Sequence, residues 1–194
     1  MSKRNARRVN PRRIPLARSE INIDELITEA NQDALYYAWL IVFPCILEQE
    51  GLPFEKAIEA WEDVKTYNAK LRHLEQFDVS RAEDLTGIPI PHKNLHIGKV
   101  RSAAELESIR QKLKKNIMGI AFGTIGLGLY YEGHFSENTI RRIFFNADLT
   151  LAELERGSTS YDQLYEKLLS YGIQLERSDN DLNIPIIKRA DRNE

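Results

Sequence analysis

Sulfur chemistry has almost nothing to work with here: the 194-residue chain holds a single cysteine, Cys45, and two methionines. One thiol cannot close an intramolecular disulfide, and no Cys pair exists to begin a zinc site. Cys45 sits in an apolar run, where a cysteine behaves as a small core residue. A chain built without disulfides fits a reducing, intracellular setting. Long hydrophobic runs are missing too. Residues 34–47 and 117–131 are free of charge but only 14 and 15 residues long. A membrane span needs about 20, so both read as buried core helices, and no membrane partner is expected. No apolar stretch follows the basic N-terminus, as a signal peptide would require.

The usual catalytic and metal-binding patterns are equally sparse. Of the four histidines only His92 and His96 are close, and Pro91 and Gly98 beside them oppose a shared helical face. No His-Glu-x-x-His pattern and no Glu-x-x-His pair occurs, so no metal and no cofactor is expected. Gly123-x-x-Gly126-x-Gly128 lacks the following Lys-Ser or Lys-Thr of a phosphate loop, and no strand precedes it. The carboxylates Glu48, Glu50, Glu55, Glu59, Glu62 and Asp63 read as a solvated face. These absences point away from an enzyme.

What is present is charge, sharply divided. Lys3, Arg4, Arg7, Arg8, Arg12, Arg13 and Arg18 put +7 on residues 1–18, which hold no acid. That leaves −9 for the rest of a chain whose formal total is −2. With Pro11 and Pro15 and few apolar residues, the arm cannot order itself. Arg7, Arg8, Arg12 and Arg13 are its candidate contacts, either to an acidic protein surface or to nucleic-acid phosphate. No aromatic residue interleaves them for base stacking.

The body reads as helix. Asn22 or Asp24 caps a first helix through Leu26, Ala30, Ala34, Tyr37, Ile41 and Cys45 to a stop at Gly51, with Pro44 inside it. A second runs from Pro53 to about Glu75, and a short third from Ser80 to Leu85 before Gly87. Ala103 opens a long helix that ends at Gly133. Ser136 caps the next, to about Arg156, and Ser160 caps the last, ending at Gly172. Short extended segments are expected at 88–90, 173–176 and 183–187.

This order of elements occurs twice. Shifted by 82 residues, Leu47, Glu50, Gly51 and Ile58 fall on Leu129, Glu132, Gly133 and Ile140. With a slip to 85, Gly87-Ile88 falls on Gly172-Ile173. The expectation is an all-α, pseudo-twofold bundle of about six helices. Its parts are an arm (1–18), a first unit (19–90), a linker (91–101), a second unit (102–176) and a tail (177–194). Gly119, Gly123 and Gly126 form one stripe, and glycine inside a helix costs about 1 kcal/mol relative to alanine. Close helix packing offsets that, so these glycines, with Trp39 and Trp61, are expected at helix contacts. The simplest arrangement crosses the two apolar helices, bulky against small.

From Asn10 onward the first unit resembles a family of small helical proteins encoded by phages and prophages of Gram-positive bacteria. The residues that carry the resemblance are Asn10-Pro11-Arg12-Arg13, Pro15, Asp24, Ala38-Trp39, Glu50-Gly51, Ile58, Trp61, Val64 and Gly87-Ile88. Members have one such unit; the second unit here lacks the basic lead and the Ala-Trp pair. The resemblance brings no activity with it. It implies a phage accessory protein of the bacterial cytoplasm. The function expected is non-catalytic binding of a host or phage protein, as inhibitor or regulator, with nucleic-acid binding through the arm as the alternative.

Overall fold

A computed structural model describes residues 23–71, 77–90, 103–177 and 185–189. Six helices carry it: α1 (Ile23–Leu47), α2 (Phe54–Leu71), α3 (Val79–Thr86), α4 (Ala103–Tyr131), α5 (Glu137–Arg156) and α6 (Tyr161–Ser170). Two strands, β1 (Ile173–Glu176) and β2 (Ile186–Arg189), pair antiparallel with Ile173 opposite Arg189. The protein is an all-α bundle with one small ribbon. No helix among the described residues is long and apolar enough to cross a membrane. The arm (1–18) and the linker (91–101) lie outside the described residues.

The helix ends follow from local chemistry. Ser136 and Ser160 accept hydrogen bonds from the backbone N–H of Thr139 and Gln163, and the Gln163 side-chain oxygen in turn accepts from the Ser160 backbone N–H. Such caps contribute about 1 kcal/mol each. Asp78 caps α3, which begins at Val79, one residue before the expected start at Ser80. Gly87 and Gly172 follow α3 and α6 in the left-handed region, at φ 68° and 74°, and release the chain into extended segments. The last strand lies slightly later than expected, at 186–189 rather than 183–187.

Two helices form the centre. Ala38 to Ile46 of α1 and Ala121 to Leu129 of α4 are buried without interruption, which is why both are apolar all round. The packing around them runs crosswise. α4 lies against α1, α2 and α3, whereas α1 lies against α4, α5 and α6. Each long helix touches the helix that follows it only slightly. Short helices also send a cation to the end of the opposing long helix. Lys167 of α6 pairs with Glu48 at 2.6 Å, and the Arg81 guanidinium of α3 lies 4.4 Å from the Tyr130 ring centroid.

Glycines set the closest approach. A methyl group on Gly123 would sit 2.6 Å from Ile90 Cδ1 and 3.1 Å from Ala82 Cβ. One on Gly126 would sit 2.6 Å from Thr86 Cγ2, and one on Gly128 2.8 Å from the Val64 backbone. The close contacts of Gly123 and Gly126 are therefore with α3 and its C-terminal extension, and that of Gly128 is with α2. No α1 atom is among the nearest neighbours of these three positions. Large α1 side chains fill the core themselves, so small residues were needed where a short helix must seat deeply.

Candidate protein-docking groove

The glycine stripe has a consequence at the surface. α3 and the stretch Ile88-Pro89-Ile90 sink onto α4, while the C-terminal half of α5 stands away from it. Between them lies a groove of about 910 Å³. Gln111, Lys114, Lys115, Met118, Gly119 and Phe122 of α4 form one wall. Asp148, Leu151, Ala152 and Glu155 of α5 form the other, and Glu83 with Ile88, Pro89 and Ile90 closes the end. The spacing of Lys115, Met118, Gly119 and Phe122 is that of one helical face. Its lining is mostly aliphatic and aromatic, with charge at the rim, the usual composition of a binding cleft.

The rim is polarised. Lys114 and Lys115 stand on the α4 side; Asp148 and Glu155 stand on the α5 side. The Lys114 ammonium lies 4.7 Å from the Tyr37 ring centroid, which draws it toward α1. Next to the acidic wall, α5 carries Phe145 and Leu149, 65% and 50% exposed. They are one turn apart and extend the apolar surface beyond the groove. Large apolar side chains this exposed and this close together mark interaction surfaces more often than monomer exteriors.

The end of the groove is closed to strand pairing by its own chemistry. The Ile88 N–H donates to Thr86 Oγ1 at 3.2 Å, and the Ile90 N–H donates to the Glu83 carboxylate at 2.7 Å. Pro89 has no N–H to offer. The three residues therefore present side chains to the groove and no free backbone donor.

Elsewhere the chemistry is structural. Cys45 is buried, donates to the Ile41 carbonyl, and has its thiol pushed up to about 11, chiefly by burial. A thiol so held is not a nucleophile at neutral pH. No group of three or more His, Cys, Asp or Glu among the described residues could hold a metal ion. Trp39 and Trp61 are core residues whose indole N–H groups have no acceptor among the described residues. Gly119 is buried and lines the groove, while Gly123 and Gly126 seat α3 beneath it. Arg7, Arg8, Arg12 and Arg13 lie outside the described residues. Sequence reasoning singled out the glycines but missed Phe145, Leu149 and Ala152. The one available signal was Phe145, a second aromatic beside the core residue Phe144 on an otherwise charged helix. No family model, no curated protein and no solved structure matches this chain.

Proposed function

We propose that this protein acts without catalysis, by binding another protein in the groove between α3, α4 and α5. The observation that carries this reading is the groove itself, mostly apolar in its lining, with Phe145 and Leu149 exposed on the helix that forms its acidic wall. An extended partner segment fits best, with two aliphatic side chains for the floor and cations for Asp148 and Glu155. The resemblance of the first unit supports a phage-encoded accessory protein of the bacterial cytoplasm, inhibiting or regulating a host or phage protein. The crosswise packing of α1 and α4 supports a duplicated unit with pseudo-twofold symmetry. A single unit would leave its long helix without the two helices of the other unit that cover it here.

Ala152→Trp fills the groove from its half-buried wall without entering the core. Wild type and this variant are used as bait in phage-infected cells, and the recovered protein is then rebuilt into a complex from purified components. Binding by wild type and at least about tenfold weaker binding by Ala152→Trp supports the reading. Equal binding by the two moves the interface off the groove. A complex that forms only with duplex DNA and weakens steeply with salt points to the arm on phosphate instead.

A further inference from the structure

The two extended segments of the fold are covered differently. β1 follows Gly172 and is paired by β2, in a segment that reads Ile184-Pro185-Ile186-Ile187-Lys188. There Pro185 is buried and Ile187 packs against the core. Ile88–Ile90 follows Gly87 in the same left-handed manner, but no strand among the described residues lies on it. Its flank is the open groove. Elsewhere the sequence holds one close copy of the β2 pattern outside the described residues: Ile14-Pro15-Leu16-Ala17-Arg18, in the basic arm. Both segments read Ile-Pro, two aliphatic residues, then a cation.

We infer that Ile14 to Arg18 of the N-terminal arm docks in the groove of its own chain and competes there with the partner. This rests on the groove being the binding site. Three features favour the arm as occupant. Ile14 and Leu16 fall on one side of an extended chain, so both can be presented to an apolar floor together. Pro15 holds the backbone near the polyproline conformation, which lowers the entropy lost on docking. The arm's cations, with no acid among residues 1–18, are complementary in charge to Asp148 and Glu155, which form no ion pair among the described residues. Four residues, 19–22, tether Arg18 to Ile23, so at about 3.3 Å per residue an extended chain carries Arg18 about 17 Å and Ile14 about 30 Å from the start of α1.

The mode of docking differs from that of β2. Ile88 and Ile90 have already given their N–H groups to Thr86 and Glu83, and Pro89 has none. The arm is therefore held by side chains and rim charges, without a hydrogen-bonded ladder. Such a contact is weaker than a strand pair and can be displaced, as a competitor must be.

The test uses the full chain carrying Leu16→p-benzoylphenylalanine, irradiated at low concentration with no partner present. The expected product is a crosslink within one chain, to peptides containing Met118 or Leu151. Adding Ala152→Trp should lower its yield at least about tenfold. Crosslinks between chains, crosslinks to other surfaces, or a yield unmoved by Ala152→Trp would overturn the inference. Should Ala152→Trp fail to fold, replacing Arg12, Arg13 and Arg18 together by Glu leaves the body untouched. An unchanged crosslink in that variant also overturns it. The partner reading fails separately. If Leu16→Asp binds the partner no better than wild type, competition is wrong and groove binding stands; a crosslink in a chain with no partner leaves the docked arm standing alone.

Discussion

The two short helices of the protein sit on the two long ones in unlike ways. α6 rests on α1, whose core-facing side chains are large, and its extension β1 is completed by β2. α3 rests on α4, where Gly123 and Gly126 let it sink until Ile90, Ala82 and Thr86 lie within contact of the glycine backbone. Its extension has no ribbon partner among the described residues and ends a groove. The difference teaches that side-chain volume on the central helix decides whether a flanking helix closes the surface or opens it. The same order of elements gives a finished edge in one half and an open groove in the other.

The largest expected effect tests that volume argument directly. Gly123→Leu forces a side chain into Ile90, Phe77 and Ala82, and overpacking here should cost about 3 kcal/mol or more. The position related by the shift of 82 is Ile41, already bulky and fully buried. Ile41→Leu keeps its volume and should cost less than about 1.5 kcal/mol. Denaturant unfolding of both variants decides; equal losses would break the comparison.

Next come the two extended segments. Ile173 is fully buried in the ribbon, and Ile173→Ala should cost about 3–4 kcal/mol. Ile90 lies beside the groove, into which neighbouring side chains can relax, so Ile90→Ala should fall near 2 kcal/mol, at the low end of the usual range. A larger loss at Ile90 would mean that the groove wall is as rigid as the ribbon.

Thr86→Val tests the backbone account of the groove end. Thr86 Oγ1 accepts from Ile88 N–H and donates to the Ala82 carbonyl at 2.8 Å. Losing both should cost about 1–2 kcal/mol and speed amide exchange at Ile88. Unchanged exchange there would show that this N–H is protected by something else.

The smallest effect is electrostatic and lies on α2. Burial raises the Asp63 carboxyl above its ordinary value, outweighing the opposing pull of Lys56. A carboxyl raised on folding opposes the fold when ionised. Stability contributed by this residue is therefore lowest at neutral pH, and recovers as pH falls through the raised folded value toward the unfolded one. Asp63→Asn should stabilise by less than about 1 kcal/mol at pH 7, because the group is partly exposed and screened. The gain should disappear below about pH 4. A gain that persists in acid would assign it to packing instead of charge.

Much of this architecture was written along the chain. Helix ends are local events, so Ser136, Ser160, Gly87 and Gly172 could be read as caps and stops before any packing was known. The two central helices were legible because a run without charge, too short for a membrane, must be buried on all sides. Gly123 and Gly126 announced a close approach through the penalty glycine carries in a helix. What approaches them was not legible, since a missing side chain names no partner; only the tertiary structure turned them from α1 toward α3. The groove was decided at the same level. Met118, Phe122, Leu151 and Ile90 are ordinary core residues in sequence, and a cleft among them exists only because α5 stands off where α3 sinks in. Burial depends on the distance between elements remote in sequence, and periodicity along one helix carries no measure of it.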